Sequence, residues 1–295
     1  MNGGVNGFIP TDIVSMQATG ANTREDFIAV EEALEIRVVG TEPVITMRTP
    51  GHDRELAAGL MLSEGLARAR CDFKVIDHLV GQPDVLQLVI RGFNHQGAER
   101  LARSSLSSSA CGVCGKKKLN LETLEPLDAL QEGPHVSGEL LSSLPARLQA
   151  HQALFAQTGG LHAAALFTAT GELRAVREDV GRHNALDKLN GWALMNDQLP
   201  LAGQIVLLSG RASFELIQKA IMARVPMVCC ISAPSSYAVR LAREFGVTLV
   251  GFLREGRFNV YAHPERIAYA HDVQAADSPS DRSTQPAVAE FPSLR

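Results

Sequence analysis

The chain has 295 residues, of which 45% are hydrophobic and 20% charged, so it can fold into one large domain or two ordinary ones. Its net charge of −4 and its isoelectric point near 6.1 argue against broad binding of nucleic acid, which needs a basic excess. No apolar run approaches the length of a membrane span, and the first residues lack the basic start and apolar core of a signal peptide. We therefore expect a cytoplasmic protein that binds neither nucleic acid nor membrane.

The cysteine content also indicates a reducing compartment. There are five cysteines, an odd number, in a chain too large to need disulfide bonds for its stability. Free or reactive thiols are therefore expected. The five are Cys71, Cys111, Cys114, Cys229 and Cys230.

Composition divides the chain into five segments. Residues 1–24 and 271–295 are predicted to be disordered tails, the second because it is rich in Ser, Pro, Asp and Gln and poor in large apolar groups. Between them we expect a small α+β domain at 25–92 and a larger α/β domain at 135–270. A bridge at 93–134, which carries Cys111 and Cys114, is predicted to be exposed and mobile.

In the small domain, alternating apolar residues predict a hairpin of strands at 33–39 and 43–49 that turns at Gly40. Leucines at helical spacing predict a helix over 53–66, after the break at Pro50-Gly51. A further strand is predicted at 85–91.

The larger domain begins with a predicted helix at 139–157, broken at Pro145, and a hairpin of strands at 163–168 and 172–176. A helix at 183–195 follows. Short apolar strands then alternate with helices, which predicts a parallel sheet covered by helices. The strands are predicted at 205–208, 227–231 and 247–253, and the helices at 212–223 and 235–245.

The pair Cys111 and Cys114 has several possible interpretations. A structural zinc site needs four ligands, and Cys229-Cys230 lies in an apolar predicted strand whose side chains point to opposite faces. A redox dithiol needs the pair at the start of a helix that follows a strand, whereas serines and an alanine precede it here. A surface loop with incidental cysteines is the interpretation without chemistry.

A nucleophilic thiolate has the most local support. Lysines at 116–118 and the glycines Gly112 and Gly115 provide positive charge and open backbone N–H groups, both of which favour the thiolate. A serine-rich run at 104–109 would let the sulfur move between a donor and an acceptor.

Several other polar segments are candidates for a binding site. Residues 158–164 hold two glycines and His162, and 177–188 hold Arg182 and His183 as groups for anion binding or proton transfer. The turns at 209–213 and 232–236 would present helix N-termini at the carboxyl edge of the sheet, where phosphates bind in α/β folds. Each of these segments has a structural alternative: packing, a salt-bridged helix start or an N-cap.

The last candidate is the predicted strand end and turn at 252–261, where two arginines surround a glycine. Such a turn suits a ligand with phosphates, and an ordinary charged β-turn is the alternative. Neither standard nucleotide-binding fingerprint is present in the chain.

Together these segments resemble the FdhD family, the accessory sulfurtransferases of formate dehydrogenases. Several motifs match in the same order, over roughly residues 25 to 270. The matching segments are 49–51, 55–59, 64–65, 108–115, 158–162, 178–188, 209–213 and 233–236.

The resemblance implies an activity and its residues. A cysteine desulfurase would pass sulfur to Cys111 as a persulfide, with Cys114 as helper or relay. The acceptor would be the molybdenum or tungsten of the bis(molybdopterin guanine dinucleotide) cofactor, which formate dehydrogenase needs in its sulfurated form. The resemblance also implies a larger domain similar to the cytidine deaminase fold, without the deaminase zinc signature, and a homodimer is expected. The family's cofactor-contacting segment matches Phe252, Leu253, Arg254, Glu255, Gly256 and Arg257.

Two other hypotheses stay open at this point. The protein could hold the molybdenum cofactor as a chaperone without doing chemistry. Alternatively, Cys111 and Cys114 could belong to a zinc or thiol-redox protein.

Overall fold

A computed structural model describes residues 7–93, 97, 99, 101, 124 and 127–268 of the chain. Cys111, Cys114, most of the predicted bridge and the predicted C-terminal tail lie outside the described residues. The part that is described folds as a mixed α/β structure with a four-stranded sheet, a six-stranded sheet and two small two-stranded sheets. Within that part, no helix is long and apolar enough to cross a membrane.

The helices are α1 (Asp53–Ser63), α2 (Gly138–Gln149), α3 (Ala153–Thr158), α4 (Arg182–Met195), α5 (Phe214–Met222) and α6 (Ser236–Glu244). The strands of the first half are β1 (Phe8–Gln17), β2 (Gly20–Ala29), β3 (Glu32–Val38), β4 (Val44–Arg48), β5 (Phe73–Leu79) and β6 (Gln82–Ile90). The strands of the second half are β7 (Val136–Ser137), β8 (His162–Thr168), β9 (Leu173–Asp179), β10 (Gln204–Leu208), β11 (Met227–Cys230), β12 (Thr248–Arg254), β13 (Arg257–Ala262) and β14 (Ile267–Ala268).

The small domain is a four-stranded sheet in the order β4-β3-β6-β5, with α1 packed on one face. Strands β3 and β4 form the predicted hairpin, and β3 runs parallel to β6. Alternate residues of the central strands point into the core, where Leu34, Ile36, Leu86 and Leu88 are fully buried beneath the helix.

The larger domain is a six-stranded sheet in the order β9-β8-β10-β11-β12-β13. Strands β10, β11 and β12 are parallel as predicted, whereas β8, β9 and β13 join antiparallel, so the sheet is mixed. Both faces are covered. Ile205 and Leu207 of β10 share a core with α2, and Val206 and Leu208 share the opposite core with α4, α5 and α6.

The prediction of a disordered tail at 1–24 is wrong for residues 7–24. Strands β1 and β2 pair along ten residues, and Phe8 meets Phe27 edge to face with ring centroids 5.2 Å apart. The hairpin rests on α3, where Gly7 lies against Leu154. The sequence signal was weak because most of the hairpin's side chains are exposed and polar.

The predicted helix at 139–157 is two helices, and the break is not at Pro145. Pro145 lies inside α2, where it forgoes one backbone hydrogen bond. The chain leaves helical geometry instead at Gln152, whose ψ is 72°. Helix α2 is stabilised at its start by Ser137, whose hydroxyl accepts a hydrogen bond from the Leu140 N–H at 3.1 Å.

Helix α1 joins the two domains. Leu56, Ala57 and Met61 pack into the small core, while Ala58 and Leu62 pack into the larger one. Its partner is α4, and the two backbones touch at a pair of glycines. A Cβ atom on Gly59 would lie 1.9 Å from the Asp187 carbonyl oxygen, and one on Gly191 would lie 1.8 Å from that of Glu55. Only glycine permits this approach.

Candidate functional site

The candidate site is the edge of the six-stranded sheet at which the parallel strands β10, β11 and β12 end. Strand β8 runs the opposite way and begins there at His162, and β9 ends there at Asp179. The candidate segments predicted from the sequence therefore lie together at this edge. They are the start of β8, the start of α4, the two strand-to-helix turns and the end of β12. The carboxyl edge of parallel strands is where α/β proteins bind ligands.

Backbone hydrogen bonds tie the loops along this edge into a row. The Ser232 N–H donates to the Gly210 carbonyl at 3.2 Å, and the Phe252 N–H donates to the Ser232 carbonyl at 3.1 Å. At the other end of the row, a Cβ atom on Gly210 would lie 3.3 Å from Nδ1 of His162, so the imidazole sits against the glycine. Because these loops are hydrogen-bonded to or packed against one another, the edge has a defined shape.

His162 lies half-buried among positive charges. Burial lowers the pKa of its imidazole, and Arg182, His183 and Arg211 lower it further, against the opposite effect of Asp179. The ring is therefore neutral at pH 7. A neutral imidazole can donate one hydrogen bond to a ligand and accept another.

His183 is held by a buried carboxylate. Its Nε2 lies 3.1 Å from Oε2 of Glu215 and 3.3 Å from Oγ of Ser213. Glu215 is in the first turn of α5, and His183 is in the first turn of α4, so the contact joins the starts of these helices. The sequence predicted a role for His183 but gave no signal for Glu215, which looked like an ordinary acidic residue of a helix start.

Arg182 and Arg211 both lie near enough to His162 to lower its pKa, and neither has a counter-ion among the described residues. Within the described residues, neither guanidinium takes part in a hydrogen bond or an ion pair, and Nε of Arg182 is buried without a partner. Arg211 is exposed in the turn after β10. The starts of α4 and α5, at Gly181 and Ser213, also have no side-chain cap.

The segment from Phe252 to Arg257 forms the far end of the edge. A cleft of about 310 Å³ is lined by Phe252, Arg254, Arg257, Phe258 and Asn259. Arg254 is oriented by two backbone carbonyls, those of Ile231 and Leu253.

Four members of the predicted segment differ in what they could offer a ligand. The Leu253 side chain is fully buried in the core, so only its backbone could reach one. Glu255 and Gly256 form the exposed turn between β12 and β13, where Gly256 has a φ of 72°. Phe252 has a φ of 54°, an unusual value for a bulky residue, and the residue is 43% exposed. Such strain concentrates at functional sites.

The polar segment at 178–188 serves the domain interface as well as the edge. Lys188 is 1% exposed, and its Nζ lies 2.7 Å from Oδ2 of the buried Asp179 and donates to the Thr49 carbonyl at 2.8 Å. Asp179 also accepts from the Thr49 N–H at 3.1 Å. Nearby, Asp187 pairs with Lys219 at 2.7 Å. Sequence reasoning treated these residues as a solvated helix start or a pocket lining and missed the interface.

A second ion pair crosses the same interface. Nη2 of Arg177 donates to Oε1 of Glu55 at 2.8 Å. Burial raises the pKa of Glu55, but the hydrogen bonds from Arg177 and His52 outweigh it and lower that pKa to about 2. The carboxylate is therefore charged throughout the physiological range.

The glycines at 159 and 160 have a structural role. Gly159 ends α3 with a φ of 65°, a left-handed conformation that suits glycine. Gly160 then packs near Ala29 of the N-terminal hairpin. Of the segment 158–164, His162 lies at the candidate site, and the Ala163 N–H donates to Oγ of Ser209 in the turn after β10 at 2.8 Å.

Among the described residues, the thiols other than that of the exposed Cys71 belong to Cys229 and Cys230, which lie in or at the end of β11 in the sheet. Burial raises the pKa of Cys229, and it raises that of Cys230 to about 11 in spite of backbone hydrogen bonds from neighbouring loops. Both are therefore protonated at pH 7 and are poor nucleophiles.

Comparison with known proteins agrees with the motifs. The model of the FdhD/NarQ family matches residues 29–268. The chain belongs to the FdhD/NarQ family. The resemblance inferred from the sequence is thereby confirmed.

The FdhD/NarQ relatives are similar over most of their length. A protein of Streptomyces coelicolor named "Sulfur carrier protein FdhD" is 46% identical over 265 residues, which cover 87% of this chain and 94% of the relative. Proteins of the same name from Mycobacterium tuberculosis and Sulfolobus acidocaldarius are 45% and 43% identical, over 83% and 82% of this chain and 93% and 92% of theirs.

A solved structure shares the fold. A crystal structure described as a formate dehydrogenase accessory protein from Desulfotalea psychrophila superposes with a TM-score of 0.70 at 23% identity, covering 88% of this chain and 99% of that one. The mixed α/β architecture is therefore the one this solved chain has.

The FdhD/NarQ motifs fall into two groups in the structure. Those at 49–51 and 55–59, with the acidic and lysine residues of 178–188, build the contact between the domains. Those at 209–213 and 233–236, with Arg182 and His183, build the sheet edge. The motif at 108–115 with Cys111 and Cys114 lies outside the described residues, so its role as the nucleophile stays a prediction.

Proposed function

We propose that this protein is a sulfur carrier that serves the maturation of a formate dehydrogenase. In this proposal Cys111 receives sulfur from a cysteine desulfurase as a persulfide, with Cys114 as helper or relay. The acceptor is the molybdenum or tungsten of the bis(molybdopterin guanine dinucleotide) cofactor: the bond between the two persulfide sulfurs would break, Cys111 would leave as a thiolate, and the metal would supply the two electrons that reduce the transferred sulfur to sulfide. The observation that carries the proposal is the 46% identity, over 87% of the chain, to a relative named as a sulfur carrier protein.

The loading step is a thiol exchange. The Cys111 thiolate attacks the terminal sulfur of the desulfurase persulfide, the bond between the two desulfurase sulfurs breaks, and the desulfurase cysteine leaves as a thiolate. A thiolate in an accessible segment is required for this step. Cys229 and Cys230 are unsuited to it because both are buried and protonated.

The geometry of the sheet edge supports an acceptor that carries phosphates. Arginines stand along the edge at 182, 211, 254 and 257, next to helix N-termini and an exposed aromatic ring. Guanidinium groups bind phosphate oxygens in a bidentate manner, and helix N-termini favour anions. Phe252 through Arg257 remain the proposed contact with the cofactor, with Leu253 contributing its backbone alone.

The proposal extends to the fold and the assembly. The mixed sheet with helices on both faces supports a larger domain of the cytidine deaminase type. A homodimer and a cytoplasmic location are the further expectations from the sequence.

The test is the intact mass of the protein after incubation with cysteine and a cysteine desulfurase. We expect a gain of about 32 Da per sulfur that is lost on reduction. Cys111→Ala should remove the gain. Cys71→Ala is the matched control, because Cys71 is exposed and free, and it should keep the gain. If Cys111→Ala still matures formate dehydrogenase in cells, the protein acts as a cofactor chaperone and the sulfur-carrier proposal is wrong.

A further inference from the structure

We propose that four exposed cations at one end of the small domain form a docking surface for the acidic face of the protein that donates sulfur. We name this surface the basic patch; it consists of Arg68, Arg70, Lys74 and Arg91. The inference rests on the proposed function, because a sulfur carrier must meet a donor as well as an acceptor. It adds the place where the donor binds and the charge of the donor's contact face.

The folded chain builds the basic patch from two segments. The backbone N–H of Arg91, which follows β6, donates to the Asp72 carbonyl at 2.8 Å. Oδ2 of Asp72 in turn accepts from the backbone N–H of Arg68 at 2.7 Å. Arg70 lies between them in the same turn, and Lys74 is the second residue of β5. The four cations therefore lie around one short turn.

The side chains of the basic patch have no counter-ions. Within the described residues, none of the four takes part in a side-chain hydrogen bond or an ion pair. Asp72 is the one carboxylate of the segment 68–74, and two backbone N–H groups occupy its Oδ2. Other exposed arginines of this domain are paired, Arg37 with Glu35 at 2.7 Å and Arg54 with Asp77. A local excess of positive charge therefore stands in a chain whose net charge is −4.

Two aliphatic side chains lie beside these charges on the outer face of the sheet. Leu88 and Ile90 of β6 belong to the core beneath α1, so Val89 and Arg91 point to the other face. Val89 lies opposite Val75 of β5, and Val75 is 41% exposed. Protein–protein interfaces combine an apolar centre with a polar rim and are enriched in arginine. Nucleic acid would need the charges alone, so the valines favour a protein partner.

The basic patch lies where the segment with Cys111 leaves the small domain. A Cβ atom on Gly97 would lie 3.1 Å from Cε2 of Phe93 and 3.3 Å from Cδ2 of Leu66, each of which is two residues from a cation of the patch. Leu101 is buried in the small core. Cys111 follows ten residues later, and ten residues span at most about 35 Å. A donor docked on the basic patch is within that span.

The acceptor's candidate site is on another part of the molecule. Strand β4 meets α4 beside that site, where Nδ2 of Asn184 donates to the Met47 carbonyl at 2.7 Å. Strand β5 forms the opposite edge of the same sheet, three strand spacings or about 14 Å from β4. A donor on the basic patch therefore leaves the sheet edge free for the acceptor.

The test is the second-order rate constant of sulfur transfer from a cysteine desulfurase to the full chain, followed by intact mass at low salt. The patch variant, Arg68→Glu with Arg70→Glu, should lower it about 10-fold or more, because like charges slow the encounter. The control, Arg24→Glu with Arg174→Glu, makes the same change in net charge at exposed positions of β2 and β9 and should stay near the wild-type rate. Added salt should slow the wild type more than the patch variant.

Cysteine persulfide, a small donor, separates docking from chemistry. It should load Cys111 of the wild type and of the patch variant at equal rates, because it needs no protein surface. Thermal unfolding should be the same for both, since the substituted side chains have no partners among the described residues.

Three outcomes overturn the inference. The first is an unchanged desulfurase rate in the patch variant, and the second is an equal loss in the patch variant and the control, which would show an effect of net charge alone. The third is slower loading of the patch variant by cysteine persulfide, which would place the effect in the chemistry of Cys111.

Failure of the proposed function gives a different result. If the wild type takes sulfur from neither donor, the sulfur-carrier function is wrong. Calorimetric titration with the desulfurase then decides the docking surface by itself. Binding that is weakened in the patch variant alone supports the basic patch, and binding that is equal in all three proteins, or absent, contradicts it.

Discussion

The domain interface and the sheet edge use the same kinds of residue in opposite ways. At the interface, Lys188 and Asp179 are buried and paired, and Arg177 pairs with Glu55. At the edge, Arg182 and Arg211 have no partner among the described residues. A charge with a partner stabilises the fold, and a charge without one is available to a ligand.

Paired interface residues and edge residues both occur within the short segment 179–188. Asp179, Asp187 and Lys188 face the small domain, while Arg182 and His183 face the edge. A helix turns its side chains through a full circle every 3.6 residues, so neighbours in the sequence can serve different surfaces. The position of the edge relative to the small domain is therefore fixed by the same helix that supplies the ligand-facing side chains.

The substitution Lys188→Met tests the buried ion pairs of the domain interface, and it is expected to have the largest effect on stability. The substitution leaves Asp179 buried without its cation, so we expect a loss of about 3–5 kcal/mol in the free energy of unfolding. Urea denaturation measures it. Lys74→Met, at an exposed position, should change stability by less than about 0.5 kcal/mol. The double variant with Asp179→Asn should recover part of the loss, and a double variant no better than Lys188→Met would argue against a paired role.

Gly191→Ala tests the backbone contact between α1 and α4. The added Cβ would lie 1.8 Å from the Glu55 carbonyl oxygen, which forces the helices apart, and we expect a loss of about 3 kcal/mol. Gly203→Ala is the control, because nothing lies within 4 Å of its added Cβ. A wild-type melting temperature for Gly191→Ala would show that the helices are not in contact at this point.

Acid unfolding tests the Arg177–Glu55 pair. The pKa of Glu55 is lowered from 4.5 to about 2 in the folded chain, so its contribution is present above pH 4.5 and is lost as the pH falls toward 2. The full contribution is at most about 3 kcal/mol. Glu55→Gln should therefore flatten the dependence of stability on pH between these values. Equal slopes for the variant and the wild type would contradict a salt-bridged Glu55.

The smallest effect is expected at the edge. Arg182→Gln and Arg211→Gln should each change the free energy of unfolding by less than about 0.5 kcal/mol, because neither guanidinium has a partner to lose among the described residues. Removing a like charge could even raise the melting temperature slightly. A loss above about 1 kcal/mol in thermal or urea unfolding would show that these arginines stabilise the fold, as the paired residues of the domain interface do.

Much of the larger domain follows from local sequence. Residues 205–208 were predicted as a strand that the structure extends by only one residue, to Gln204, because four buried apolar residues between turns leave few alternatives. The carboxyl edge followed from the same alternation of strands and helices. Arg182 and His183 were predicted only as groups for anion binding or proton transfer, and their place at this edge required the order of β8 and β9 in the sheet.

Other features depend on contacts between distant parts of the chain. In the sequence, Gly59 and Gly191 look like ordinary glycines within helices. Glycine is required at both positions because the backbones of α1 and α4 touch there. Glu215 looked like a first-turn acid, yet it holds His183. The hairpin of β1 and β2 was missed because most of its side chains are exposed and polar, and because part of its packing comes from α3. The direction of β8 in the sheet likewise required the three-dimensional order of the strands.

Helix α1 has a consequence for how the protein can be divided. It is covalently part of the small domain, yet its Ala58 and Leu62 complete the core of the larger one. If the chain were divided between the two sheets, the larger core would lose the side chains of α1 that pack into it, and a groove lined by α4 would be exposed. Neither half is an autonomous module, and we expect gene fragments that encode one half to yield insoluble protein. Shuffling halves between relatives should succeed only when α1 and α4 are exchanged together.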